Sequence, residues 1–292
     1  MATIAVCVAT TGRPDTVTEA LRHIGGQTSA VDRVLVCPAK DGDIDRSSLE
    51  ALGFAVEIVR GAPGLAAQRN TLLRAADAVD IILFIDDDFF AAPTYVAAMR
   101  ALFAARPDCV VATGTVIADG VVGPGYSVAE ARAILAAHAA GPATDGPIFT
   151  AYGCNMALRW ATLRGTGCWF DEHLPLYAWA EDVDFSRQAA AFGDVRKSSA
   201  MIGVHLATKT GRVSGRRFGY SQIANQAYLV RKGTLPLWPC VRKAAENLAA
   251  NVVGAVRNNE AYIDRRGRLA GNLYGLRDLI IGRSSPQRIL TL

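Results

Sequence analysis

The sequence is short of paired cysteines, of long apolar runs, of repeats and, toward its end, of acidic residues, and each shortage removes a class of protein. Its six cysteines (Cys7, Cys37, Cys109, Cys154, Cys168, Cys240) include no C-x-x-C pair, and several lie in apolar runs. That is the pattern of buried reduced thiols, not of a zinc site or a disulfide framework. No stretch approaches the roughly 18 apolar residues of a membrane-spanning helix. The opening "MATIAVCVATTGRP" lacks the basic region and apolar length of a secretory signal, so a reducing cytoplasm is the expected setting. No internal repeat and no nucleic-acid-binding module is visible, so nucleic acid is not an expected partner. From residue 211 onward four Asp and Glu stand against fourteen Lys and Arg, although the whole chain carries a net charge of only +4. That asymmetry predicts a surface meeting phosphates or anionic lipid.

What is present is a globular composition, with 51% hydrophobic and 20% charged residues over 292 positions. Strand-like and helix-like segments alternate. "TIAVCVAT" (3–10) is a buried strand by its β-branched run, and Val17, Leu21 and Ile24 follow at helical spacing. "DRVLVCP", "FAVEIVR" and "IILFI" read as further strands, separated by helices over "RSSLEALG" and "GLAAQRNTLLRAAD". Strands are also expected over 113–120 and in "RKSSAMIGVHL". Phe185, Ala189 and Phe192 mark one face of a helix, and the chain beyond about residue 212 is basic and helical. This alternation predicts an α/β fold with a doubly wound, mostly parallel sheet.

"IILFIDDDFFAAP" (81–93) drives five apolar residues straight into three aspartates. In open parallel sheets ligands bind beyond the carboxyl ends of the strands, which is where Asp86, Asp87 and Asp88 fall. Asp-x-Asp after a strand can hold a hard divalent cation; the alternative is a solvated turn or helix cap. A second cluster, Glu181, Asp182 and Asp184, complements the dipole of a helix start or supplies a general base. Arg69 and Asn70 lie near the start of a helix facing the same edge, where Arg69 could pair with phosphate or nucleobase or remain a surface charge. Arg13 carries the same ambiguity.

The order of these motifs over about residues 4–206 resembles the inverting family 2 glycosyltransferases of GT-A fold. "IAVCVATTGRPDTVTEALRHIGGQT" is similar to their opening strand and helix, "GLAAQRNTLLRAA" to their Gly-x-x-x-x-Arg-Asn helix, and "ILFIDDDFFAAPTYV" to their Asp-x-Asp strand. "GCNMALRWATLRGTGCWFDEHL", "AEDVDFSRQAAAFG" and "MIGVHL" match the segments that follow. The resemblance implies a GT-A domain over 1–210, with a nucleotide-sugar-binding half (1–90) and an acceptor and catalytic half (91–210). Residues 211–292 are then a basic helical region for acceptor or membrane-surface contact, peripheral on the inner face of the plasma membrane. It implies a nucleotide-diphosphate sugar donor held by Thr10, Arg13, Asp41, Arg69, Asn70, Asp86, Asp87 and Asn155. Mn²⁺ or Mg²⁺ would sit on Asp88, Asp86 and His205, with Asp182 as base and Glu181 beside it. The acceptor would be a hydroxyl of a glycan or lipid-linked saccharide.

One departure concerns the donor base. The family commonly ends its second strand in an Asp-rich turn, whereas "VLVCPAKDGD" places Cys37, Pro38 and Ala39 there, leaving Asp41 or Asp43 to substitute. UDP is the default, with GDP or dTDP open. Arg212, Arg216 and Arg217 are candidates for a loop over the diphosphate. A catalytically silent nucleotide-sugar-binding or scaffold protein is the alternative, although both acidic clusters are intact. A nucleotidyl-transferring enzyme of similar sheet should open with a Gly-rich loop that "ATTGRPD" does not supply.

Overall fold

The computed structural model describes residues 2–139, 141–211, 213–257 and 260–292. One mixed sheet forms the centre. Its parallel part comprises β1 (Ile4–Thr10), β2 (Arg33–Pro38), β3 (Glu57–Ile58) and β4 (Ile81–Asp86), in the order β3-β2-β1-β4. Beyond β4 come β5 (Phe89–Ala91), β6 (Cys109–Asp119), β7 (Asp145–Pro147), β8 (Asn155–Leu158) and β9 (Asp194–His205), and the order continues β4-β8-β6-β9-β5. β8 runs antiparallel to both β4 and β6, while β6 and β9 are parallel.

The helices are α1 (Pro14–Gly25), α2 (Arg46–Glu50), α3 (Leu65–Ala75), α4 (Tyr95–Ala105), α5 (Val128–Ala137), α6 (Trp160–Leu163) and α7 (Glu181–Ala189). Three more, α8 (Gly215–Lys232), α9 (Leu237–Arg257) and α10 (Arg265–Ile280), complete the chain with a short 3₁₀ turn at Pro286–Thr291. Strand alternation explains why both sheet faces are covered. Along β1 and β4, Val6, Val8, Leu83 and Ile85 pack against α1 and α4, whereas Ala5, Cys7, Ile82 and Phe84 pack against α3, α6 and α7. All six cysteines are buried free thiols, as their apolar settings predict.

Several boundaries differ from the sequence expectation. The third strand shrinks to Glu57–Ile58, and the strand expected at 113–120 begins earlier, at Cys109. α7 stops at Ala189 because the chain turns through Gly193 (φ 158°) into β9; Phe192 therefore leaves the buried face and is 45% exposed. Arg212 lies outside the described residues, while Arg216 and Arg217 belong to α8 and not to a loop. Ser214 caps that helix by accepting from the Arg217 N–H, Arg216 stacks on Tyr274, and Arg217 donates to the Leu292 carbonyl.

α8 is fused to the sheet layer. Its Leu229 enters the same core as Phe84 and Phe170. Near its end, Lys232 Nζ lies 2.6 Å from Asp171 and 2.7 Å from the fully buried Asp184. α10 crosses α8 at glycines: a Cβ on Gly219 would stand 2.0 Å from the Arg268 carbonyl, and one on Gly271 2.0 Å from that of Arg216.

Replacing Lys232 by Ala leaves Asp184 buried without its cation, and the expected loss in urea unfolding is about 3 kcal/mol. The same contact should make the chain acid-sensitive. Burial raises the Asp171 carboxyl, but Lys232, the His173 N–H and the Tyr228 hydroxyl outweigh it and hold it at about 2, against an ordinary 3.8. A carboxyl depressed on folding stabilises fully above its unfolded pKa, so this contribution should fade between about pH 4 and pH 2 in the wild type and be smaller in Lys232→Ala, where the His173 N–H and the Tyr228 hydroxyl still act.

Candidate active site

The carboxyl end of β4 carries the acidic run. Burial of Ile81 to Ile85 on both faces brings the strand out of the core at Asp86, and Asp87 and Asp88 form the tight turn into β5, whose Phe89 and Phe90 are buried. Asp87 and Asp88 are therefore withdrawn from solvent, whereas Asp86 at the strand end stays partly exposed. Their partners are close by. Asp87 accepts from the Thr10 hydroxyl at 2.7 Å and from Arg13 Nη1 at 2.8 Å. Asp88 accepts from Arg13 at 3.1 Å and from the Thr208 N–H at 2.8 Å, and faces His205 Nε2 at 3.3 Å. Burial and the neighbouring Asp88 charge push the Asp87 carboxyl up. Asp88 is equally buried, yet His205, Arg13 and the Thr208 N–H together hold it down.

Asp86, Asp88 and His205 can each turn one ligand atom into a common space, these atoms lying within 4.8 Å of one another. Two carboxylates and an imidazole suit Mn²⁺ or Mg²⁺, which favour oxygen ligands. His205 is oriented as metal-binding histidines are: its Nδ1 lies 3.0 Å from Asp119 Oδ1 and 3.4 Å from the Tyr152 hydroxyl, which in turn donates to Asp119 at 3.0 Å. Burial opposes charge on this ring, but the hydrogen bonds to Asp119 and Asp88 lift it to about 10. The residues present fit the ion.

Arg69 joins this edge to the second acidic cluster. It is 2% exposed, lies against the rings of Phe84 and Phe170, and reaches Asp86 at 3.0 Å, Glu181 at 2.6 Å and the Gly153 carbonyl at 2.7 Å. Burial pushes the Glu181 carboxyl up to about 8, opposed by Arg69 and reinforced by Asp182 and Asp86. Burial also raises Asp182, although the Gly153 and Val183 N–H groups donate to it at 2.9 and 2.8 Å. Gly153 admits the two acids because a Cβ there would lie 3.2 Å from each.

The segment delivering α7 is strained. Leu176, Ala178 and Ala180 have φ of 59°, 50° and 71°, a region that costs non-glycine residues of order 1 kcal/mol or more each. The loop is held by the Leu65 N–H on the Leu176 carbonyl and by the Asn225 amide on that of Trp179, both at 2.9 Å.

Nine of the residues singled out in the sequence converge here: Thr10, Arg13, Arg69, Asp86, Asp87, Asp88, Glu181, Asp182 and His205. Arg13 and Arg69 are engaged by protein carboxylates. Arg13 also donates to the Thr208 and Thr210 carbonyls and so clamps the loop after β9 over the acidic turn. Three residues point elsewhere. Asn70 is consumed by the Phe170 backbone and Glu172, and Asn155 is fully buried among Tyr95, Thr113 and the Gly114 N–H. Asp41 is exposed and paired with Arg60, while Asp43 is the buried acid, accepting from the Gly12 and Lys40 N–H groups. Asp119 and Tyr152 were not singled out. Asp119 carries a readable signal, an acid ending an apolar strand, as Asp86 does.

Residues 5–163 match the family described as glycosyl transferase family 2. Among solved structures, the chain is similar to the mannosyltransferase PcManGT from Pyrobaculum calidifontis in complex with GDP-Man and Mn²⁺, with a TM-score of 0.58, 16% identity, and coverage of 95% of this chain and 88% of that one. It is also similar to glucosyl-3-phosphoglycerate synthase from Mycobacterium tuberculosis in complex with Mn²⁺, UDP and phosphoglyceric acid, with a TM-score of 0.54, 18% identity, and coverage of 81% and 80%. A third is S. aureus TarS 1-349 in complex with UDP-GlcNAc, with a TM-score of 0.53, 17% identity, and coverage of 99% and 83%. The chain spans 44% of the longer S. aureus TarS chain. No curated protein matches. At these identities the likeness concerns the fold, and it bears out the GT-A type sheet with a helical C-terminal region.

Asp119 should orient His205 without touching a ligand itself. Asp119→Asn is expected to weaken Mn²⁺ binding about 10- to 100-fold in titration calorimetry, while Asp41→Asn leaves it unchanged.

Proposed function

Because the chain belongs to glycosyl transferase family 2, we propose that it is a metal-dependent inverting glycosyltransferase. It moves a hexosyl group from a nucleotide-diphosphate sugar to a hydroxyl of a glycan or lipid-linked saccharide, in polysaccharide or glycolipid biosynthesis. One observation carries the reading. A single buried guanidinium, Arg69, lies within hydrogen-bonding distance of both the carboxylate at the end of β4 and Glu181 at the start of α7. That bridge sets a cation-binding edge beside Asp182, a carboxylate whose proton affinity burial has raised.

Asp86, Asp88 and His205 would hold Mn²⁺ or Mg²⁺, which when bound neutralises charge on a diphosphate leaving group. Asp182 takes the proton of the acceptor hydroxyl as its oxygen attacks the anomeric carbon. The bond from that carbon to the diphosphate oxygen breaks on the opposite face, and its electron pair leaves with the diphosphate, inverting the centre. Asp182 is suited to this because its two backbone N–H partners fix its direction while burial raises its basicity. Glu181, held by Arg69, keeps Asp182 in place. Thr10 and Arg13 fix Asp87, and so the turn on which Asp88 stands.

The nucleoside is left open by the second strand. At its end Asp43 is committed to the backbone and Asp41 to the surface, so UDP, GDP and dTDP all remain candidates.

Two experiments test this reading. Thermal shifts with UDP, GDP, dTDP and CMP, with and without Mn²⁺, should single out one nucleotide in the presence of metal. Occupancy at 100 times Kd adds about 2.7 kcal/mol, and Asp88→Ala should abolish the gain. A shift with none of the four would overturn the reading in favour of a silent scaffold protein. Asp182→Asn should lower kcat about 10²- to 10⁴-fold with donor affinity nearly intact. In the wild type, kcat should fall on acidification at a pH above the ordinary carboxylate range, because Asp182 is inactive once protonated and its pKa is raised.

A further inference from the structure

We propose that α9 is a membrane-docking helix, whose outward apolar stripe enters the interface of an anionic lipid surface. The inference goes beyond the transfer reaction and rests on residues outside the acidic site.

A helix packed on a protein ordinarily turns its apolar side inward. α9 does not. Its buried positions are Cys240 and Asn251, and Asn251 donates to Gln222 at 3.1 Å and to Asn272 at 2.7 Å. The inward side of α9 thus centres on an amide, flanked by Cys240 and the half-buried Ala244, Leu248 and Ala255, while most of its larger apolar residues face outward. Both polar atoms of Gln226 on α8 and the amide nitrogen of Asn247 on α9 are buried without a hydrogen-bond partner. Meanwhile Trp238, Val241, Ala245, Ala249, Val252 and Val256 recur at intervals of three and four, and every one is exposed. Trp238 is 78% exposed and Val256 81%. Such a stripe is contiguous, unlike the scattered apolar residues of an ordinary surface.

The charges around it select the occupant. Arg242, Lys243 and Arg257 on α9 are exposed, and the end of α10 presents Ile280, 84% exposed, and Ile281 between Arg277 and Arg283. Residues 237–292 hold nine Lys and Arg against four Asp and Glu. Of those acids Asp278 is buried against Arg288, Glu260 pairs with Arg265, and Glu246 lies between Arg242 and Lys243. A second copy docked on this stripe would oppose cation to cation. An anionic bilayer complements it, with apolar residues at the acyl boundary and basic residues among the headgroups. No helix among the described residues is long and apolar enough to cross a membrane, so α9 would lie in the interface. The connection that follows α9 touches the loop above the acidic turn. Lys209, in the loop that Arg13 clamps, lies over the ring of Tyr262 in the α9–α10 connection at 5.6 Å.

Co-sedimentation of the full chain with phosphatidylcholine–phosphatidylglycerol vesicles tests the proposal, with pure phosphatidylcholine as the comparison. Binding to the anionic vesicles is expected, falling with added salt. The exposed double substitution Trp238→Ser, Val256→Ser should reduce it at least about tenfold with an unchanged Tm. Glutamine at Arg242, Lys243 and Arg257 should reduce it about fivefold per charge. Absence of binding to anionic vesicles, or binding indifferent to Trp238→Ser, Val256→Ser, would overturn the proposal. So would a lipid-free dimer that the double substitution dissociates, because a second copy then covers the stripe. Neither donor nor acceptor is present, so failure of the transfer reading leaves this result untouched, and failure here leaves nucleotide binding and kcat unaffected.

Discussion

A guanidinium withdrawn from water is tolerable only where carboxylates and carbonyls replace its hydration. Arg69 meets that condition with Asp86, Glu181 and the Gly153 carbonyl, and its flat faces rest on Phe84 and Phe170. The rest of the site depends on this contact. Without the cation, Asp86, Glu181 and Asp182 would set like charges side by side where little solvent reaches them. With it, the end of a parallel strand and the start of a distant helix have one relative position. Ion pairs of this kind add little net stability compared with an apolar core, but they are demanding about geometry, and geometry is what two converging acidic clusters require.

The features legible in the sequence were those whose pattern reports their surroundings directly. β1 and β4 are continuous apolar runs because helices cover both faces, and the aspartates after β4 stand out because apolar residues lead straight into them. β8 left no such trace. Four residues long and antiparallel to both neighbours, it interrupts a βα alternation that otherwise predicts parallel strands. Asn70 and Asn155 show a different limit: a residue type suited to a ligand also suits a buried backbone, and only the fold decides which way an amide faces. Asp41 and Asp43 differ by two positions in a 3₁₀ turn, yet one is on the surface and the other is enclosed by Gly12 and Lys40. Asp119 ends an apolar strand as Asp86 does, but its pairing with His205 exists only because β6 and β9 lie side by side.

The basic C-terminal stretch is packed into the sheet layer at one end and exposed at the other. α8 contributes an apolar residue to the core, an amide to the α7 loop and a lysine to Asp184. The third acid of the Glu181-Asp182-x-Asp184 run therefore anchors a helix, while the first two face the site. Contact through glycines at Gly219 and Gly271 brings α10 against α8 backbone to backbone, and α9 rests on the pair through two buried residues, Cys240 and Asn251, with a few half-buried small ones beside them.

The left-handed run at Leu176, Ala178 and Ala180 also bears on how the protein fails under heat. Regions of a fold open independently, and those carrying internal strain open at the lowest cost. Release of this loop would free the first turn of α7 and draw Ala178 out of one apolar layer, while the strands stayed paired. Loss of activity on heating would then precede loss of the fold, with the stretch from Leu176 to Ala180 and not the sheet as the first part to give way.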